Sequence, residues 1–176
     1  RAAWLSLALA LVVSPPARAE PPLFDTWIGY DTGTYTTGRF PYGAAAADLN
    51  GDGQPEVLTA QWPFATGFSV IRSAGDGSYL PPIRYASSYP PLDILVTDLN
   101  GDGKQDVALP NTGLYWEGTK ISVYRGQGDG SFAAAQQFTC GSGPIGVAAA
   151  DFDGDSDVDL AVALYGYLGQ GTTIAL

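Results

Sequence analysis

The sequence predicts an all-β chain assembled from repeated units of four short antiparallel strands, and three observations carry that prediction. Segments of one design, Pro41 to Asp48, Pro91 to Asp98 and Pro144 to Asp151, each run seven residues from proline to aspartate and recur at intervals of fifty and fifty-three residues. Each aspartate opens a Gly/Asp-rich loop that leads into a short apolar run. The chain holds 23 Gly and 13 Pro with 12% aromatics and no His or Met, the usage of a turn-rich β protein, and its Ala runs are too short and interrupted for helices.

From the N-terminus, Arg1 precedes an apolar run, Trp4 to Val13, interrupted only by Ser6, and then Pro15, Pro16 and Ala17-Arg18-Ala19. That run falls short of the roughly twenty residues needed to span a bilayer, and Ala-Arg-Ala supplies the small residues signal peptidase requires. Residues 1–19 are therefore expected to be a signal peptide, cleaved after Ala19, and the protein to be secreted to an extracellular, cell-surface or periplasmic destination. A buried helix of a cytosolic domain is the alternative, disfavoured by Pro15 and Pro16. No later stretch is expected to insert into a membrane. Residues 20–40 form an N-terminal segment, in which 31–37, around Tyr35, read as a lone outer strand.

The repeats follow as residues 41–90, 91–143 and a partial copy, 144–176. Within each, the first strand is small and apolar, Gly43 to Ala47 and Val147 to Ala150, and is expected to be buried on both faces. Second strands are read at Val57–Ala60, Val107–Leu109 and Leu160–Ala163, and third strands at Phe68–Ile71 and Ile121–Tyr124. The turns Ala74-Gly-Asp-Gly77 and Gln127-Gly-Asp-Gly130 suit tight hairpins, and fourth strands end at Tyr85 and Phe138. Four strands per repeat of about fifty residues is the arithmetic of a β-propeller blade. The expected architecture is a β-propeller fragment of about two and a half four-stranded blades, with residues 31–37 completing a last blade whose inner strands lie in sequence beyond Leu176. A β-sandwich is the rival; it explains the strands but not the fixed repeat.

Chemistry is concentrated in three nine-residue loops: Asp48 to Glu56, Asp98 to Asp106 and Asp151 to Asp159. Oxygen-bearing side chains recur at positions 1, 3, 5 and 9, namely Asp48, Asn50, Asp52 and Glu56; Asp98, Asn100, Asp102 and Asp106; Asp151, Asp153, Asp155 and Asp159. Ca²⁺ takes about six to eight oxygens, and position 7, at Gln54, Lys104 and Asp157, is expected to add a backbone carbonyl. One ion per loop, three in this chain, is the expectation. Two like charges about 4 Å apart repel by about 4 kcal/mol at an effective dielectric near 20, so the loops should splay without a cation. Solvated Asp-Gly turns are the plain alternative. The first half of each loop matches an EF-hand, but the twelfth positions are Thr59, Leu109 and Val162 rather than Glu, and strands flank the loops. Gly51, Gly53, Gly101, Gly103 and Gly154 are expected to take positive φ. Ser156 stands where the other loops have glycine, at an expected cost of about 1–2 kcal/mol.

The loop Asp-x-Asn-Gly-Asp-Gly-x-x-Asp, with its small-residue strand before it and Val-Tyr-Arg-Gly-Gln-Gly-Asp-Gly-Ser-Phe after it, resembles the FG-GAP and VCBS repeats. It is similar also to the calcium-bearing blades of integrin α-chain head domains. The resemblance spans about Tyr35 to Leu176 and implies a seven-bladed, exported, calcium-stabilised propeller; it does not extend to integrin-style ligand recognition, since that surface lies in loops this sequence does not match.

Net charge is −10, and removal of the leader leaves six basic against eighteen acidic residues, which argues against nucleic acid or an anionic membrane as partner. Cys140 is the only cysteine, so no disulfide closes within this chain; its mate lies in other sequence, or it is a buried free thiol. The leading functional reading is extracellular recognition of a glycan or protein, with Trp62, Tyr79, Tyr89, Tyr115 and Trp116 as ring platforms; their alternative is packing between blades. A second reading makes the chain part of an exported carbohydrate-active enzyme. No His is available as a general base, however, and no nucleophile stands in a catalytic setting, so the chain is not expected to be an enzyme. A third reading is a structural spacer.

Overall fold

The computed structural model describes residues 39–63, 66–76, 78–166 and 173–175, of which 39 and 173–175 by backbone alone. The expected leader at 1–19, outer strand at 31–37 and Gly77 of the first hairpin lie outside the described residues. Eleven strands are described: β1 (Arg39–Ala47), β2 (Glu56–Pro63), β3 (Phe68–Ile71), β4 (Ile83–Tyr85), β5 (Leu95–Thr97), β6 (Asp106–Asn111), β7 (Lys120–Tyr124), β8 (Gln136–Thr139), β9 (Pro144–Ala150), β10 (Asp159–Leu164) and β11 (Thr173–Ala175). They form two four-stranded sheets, β1-β2-β3-β4 and β5-β6-β7-β8, and a three-stranded sheet of β9, β10 and β11. All pairings are antiparallel. The chain is all-β where it is described, as the repeats require.

In the first two units the strand buried on both faces is the second, not the first, whereas β10 of the third unit is only partly buried. β6 is buried at every position and β2 over most of its length, because each is hydrogen-bonded on both edges and covered by a neighbouring sheet. The first strands behave otherwise. Ala44, Ala46, Ala148 and Ala150 are exposed, with half-buried residues between them, since no sheet among the described residues covers their outward side.

The first two sheets pack face to face through a cluster of aromatic side chains. Phe68 on β3 stacks on Tyr85 of β4, with ring centroids 4.9 Å apart. Tyr124 and Phe132 of the next unit close edge-on upon that pair, at 5.1 and 5.6 Å from Phe68. Leu58, Val70, Val107 and Leu109 complete this core. Phe68 is fully enclosed; truncating such a ring to Ala typically costs about 3–5 kcal/mol. Polar clasps join the sheets around the core: Tyr124 Oη donates to Ala86 O at 2.6 Å, Thr112 Oγ1 to Pro144 O at 2.6 Å, and Val147 N to Asp93 Oδ2 at 3.1 Å. Gly43 is fixed by close approach, because a Cβ there would stand 3.0 Å from Asp93 Cα.

The antiparallel order sorts the connections by end. The three acidic loops join first to second strands, and the hairpins at 72–82 and 125–135 join third to fourth strands, so all of these lie at one end of their sheets. The β2–β3 and β6–β7 connections, and those between units, lie at the other. Ser73 Oγ accordingly donates to Gln54 Oε1 at 3.0 Å, tying the first hairpin to the first loop. Hairpin carboxylates Asp76 and Asp129 accept from the hydroxyls and amides of Ser78 and Ser131, bonds that hold both carboxyls below the usual range and commit them to the turns.

Candidate metal centres

Each acidic loop is held by the same set of bonds from side chain to backbone. The first-position carboxylate gathers the amides ahead of it. Asp48 accepts from Gly51 N at 2.7 Å and Gly53 N at 2.8 Å, Asp98 from Gly101 N and Gly103 N at 2.8 Å each, and Asp151 from Gly154 N at 2.7 Å and Ser156 N at 3.0 Å. Amide donors favour a charged carboxylate. Gly53 and Gly103 are the chief cause of the lowered values at Asp48 and Asp98.

The third position accepts from the fifth-position amide, at 2.9, 2.9 and 3.1 Å for Asn50, Asn100 and Asp153. The fifth position accepts from the seventh: Asp52 from Gln54 N, Asp102 from Lys104 N and Asp155 from Asp157 N, at 2.8, 2.9 and 2.8 Å. This coil of Asx turns needs left-handed corners. Gly51, Gly53, Gly101, Gly103 and Gly154 supply them at φ 73–86°, and Ser156 adopts φ 75° in the place of a glycine.

The ninth position has a second task that spacing alone did not reveal. Glu56, Asp106 and Asp159 each open the second strand of their sheet and accept the amide of the loop's second residue: Leu49 N at 2.9 Å, Leu99 N at 3.2 Å and Phe152 N at 3.0 Å. Asp106 is almost wholly buried, and its other oxygen takes Gly126 N at 2.8 Å. Glu56 is wholly buried too, but its Oε1 has no hydrogen-bond partner among the described residues. A buried carboxylate oxygen left unpartnered is costly, and a cation is one group that would satisfy it.

Asp151, Asp153 and Asp159 bring one carboxylate oxygen each within 4.8 Å of one another. Asp155, expected as a fourth ligand, is outside that group, with Oδ1 turned to the Asp157 amide. In the first two loops the third residue is Asn, whose Nδ2 donates to Asp52 at 3.0 Å or to Asp102 at 3.4 Å. Oxygen-only donors, several of them anionic, suit a hard cation such as Ca²⁺. On this donor set and the orphaned Glu56 oxygen, the residues present fit such an ion.

Of the five aromatic residues singled out as ring platforms, Trp62, Tyr89, Tyr115 and Trp116 lie at the end away from the loops, whereas Tyr79 lies in the hairpin at the loop end. An apolar cavity of about 340 Å³ opens between β7–β8 and β9–β10, lined by Leu99, Ile121, Phe138, Cys140 and Leu160 among others. Ile121 and Phe138 hold the places that Phe68 and Tyr85 hold one repeat earlier. Burial pushes the Cys140 thiol up, away from the reactive thiolate.

These features define an all-β repeat protein in which each unit pairs a small sheet with an acidic, cation-suited loop. Residues 111–162 match the FG-GAP-like repeat family and are such a repeat. The matched stretch runs from the end of β6 to Val162 in β10 and contains the whole Asp151–Asp159 loop. FG-GAP repeats form propeller blades and typically bind calcium. No curated protein matches the chain.

Proposed function

We propose that this chain is a calcium-stabilised segment of a β-propeller, seven-bladed in its complete form, carried by an exported protein and serving extracellular recognition rather than catalysis. The observation that carries the reading is the wholly buried Glu56 carboxylate, whose Oε1 has no hydrogen-bond partner among the described residues while its Oε2 clamps the first loop. Asp48, Asn50, Asp52 and Glu56, their counterparts in the second loop, and Asp151, Asp153, Asp155 and Asp159 would hold one ion per loop, with the carbonyls of Gln54, Lys104 and Asp157 beside them. The ion would supply the positive charge that lets several carboxylates share one turn.

Secretion is supported by the apolar leader and its Ala-Arg-Ala end. A binding role is supported by the committed state of the polar groups: carboxylates serve turns and loops, the sequence has no His, and the thiol is raised. Isothermal titration with Ca²⁺ and thermal melting with and without EDTA test the proposal. Saturable binding near three ions per chain and a fall in Tm on chelation are expected. An unchanged Tm in EDTA with no calcium heat would overturn it.

A further inference from the structure

At the end of the sheets away from the acidic loops, side chains from all three units form a track of two aromatic ring pairs bridged by a polar turn. Tyr42 of β1 and Trp62 of β2 pair edge to face, with centroids 5.2 Å apart. Trp62 Nε1 reaches across to the next sheet and donates to Gly113 O at 3.5 Å. Gly113, at φ 82°, leaves room for the Glu117 carboxyl group, which a Cβ there would meet at 2.6 Å. Glu117 Oε2 accepts the Tyr115 amide at 2.7 Å, and the intervening Trp116 pairs with Tyr165 of the third unit at 5.1 Å. The Tyr42–Trp62 and Trp116–Tyr165 ring pairs are thus joined through the Gly113 carbonyl, Glu117 and the 115–116 backbone.

Two features set this track apart from ordinary packing aromatics. It is open: Tyr115 is 73% exposed and Tyr42 61%, whereas the rings that join sheets, Phe68 and Tyr124, are buried. It is also strained, because Trp116 holds φ 60°. A bulky residue there is an outlier of the kind that gathers at ligand clamps. Gly143 packs under it, where a Cβ would lie 3.2 Å from that of Trp116.

We infer that this aromatic track is a binding site for a neutral, β-linked oligosaccharide. This rests on the recognition reading above and gives it a site and a ligand class. Pyranose rings with equatorial hydroxyls present flat C–H faces that stack on aromatic faces, while their rim hydroxyls seek fixed acceptors; the half-buried Glu117 carboxylate, anchored on the Tyr115 amide, is such an acceptor beside the rings. Rings with a few placed polar groups are the usual make-up of a small-ligand site. Charge selects against anionic glycans: the chain carries −10, Glu117 sits within the track, and Lys120 is engaged with Gln137 Oε1 at 3.3 Å.

The test uses the whole chain saturated with Ca²⁺, titrated with cellohexaose and with chitohexaose while tryptophan fluorescence is followed. At least one sugar is expected to change the emission saturably, and Tyr115→Ala and Tyr42→Ala each to weaken binding by about tenfold, or 1.4 kcal/mol. Both side chains are well exposed, so urea midpoints should match the parent and separate lost binding from lost fold. No emission change with either sugar, undiminished affinity in both variants, or binding of polygalacturonate or a proline-rich peptide in place of the neutral sugars would overturn the inference. Failure of the calcium reading would register separately, as a Tm indifferent to EDTA.

Discussion

Replacing Asp106 separates the fold's need for a carboxylate from the metal's. Asp106 is 1% exposed and accepts two amides, Leu99 N through Oδ2 and Gly126 N through Oδ1. Asp106→Ala leaves both donors buried and unpaired, and at about 1–3 kcal/mol for each the loss should total about 2–6 kcal/mol. That is a large share of the ordinary 5–15 kcal/mol of a domain. Asp106→Asn keeps one acceptor and turns an NH₂ toward the other amide, so about 1–3 kcal/mol should go. Urea unfolding in excess EDTA reads these losses with no ion present, and repeating it in Ca²⁺ adds the lost ligand. An Asp106→Asn protein matching its parent within about 0.5 kcal/mol in EDTA would refute the two-amide clamp and leave the side chain only a ligand's role.

Glu56 should respond with the opposite sign. Glu56→Gln retains an acceptor for Leu49 N and removes a buried charge whose second oxygen has no partner among the described residues; in EDTA it should equal or exceed its parent in stability, and in Ca²⁺ it should fall below, with a loss in EDTA counting against the reading. Ser156→Gly should gain about 0.5–1 kcal/mol, since relief of the φ 75° strain, about 1–2 kcal/mol, exceeds the added chain entropy of glycine; a lower urea midpoint would contradict it. Burial pushes the Tyr124 hydroxyl up to about 12 from 10. The folded protein therefore holds this proton more tightly than the unfolded chain, and the contribution is whole below pH about 10 and lost toward pH about 12. Urea midpoints of Tyr124→Phe and parent should converge over that interval, and parallel midpoints would refute the assignment.

The acidic loops were legible in the sequence because their conformation is made locally. Asp at the first position bonds amides three and five residues on, glycines turn the corners, and repetition at one spacing announces the result. The third strands were legible to within a residue: Phe68–Ile71 matches β3, and Ile121–Tyr124 falls one short of β7, which begins at Lys120. What depends on neighbours was not. The expectation that Ala-rich first strands are buried on both faces failed, since small apolar composition says nothing of which sheet lies opposite. The amide clamp of Glu56 and Asp106 was hidden because a carboxylate's use for a ligand or for an amide leaves the same letter in the sequence. Tyr42 and Tyr165 were missed as ring partners because they sit within β1 ahead of its Ala-rich stretch and just past the end of β10, far from Trp62 and Trp116 in the chain, and no periodicity links them. Trp116 at positive φ carried no sign either, as tryptophan is not a residue one places in a left-handed turn.

The carbonyl of Leu49, inside the first loop, accepts the Gly130 amide from the hairpin of the following unit at 3.3 Å. That bond couples the first loop to the following unit: if this loop slackens, its own sheet and the neighbouring hairpin both lose a hold. Slackening of the first loop should accordingly be felt in the hairpin of the second unit, and on the calcium reading proposed above a drop in ambient Ca²⁺ would loosen that joint.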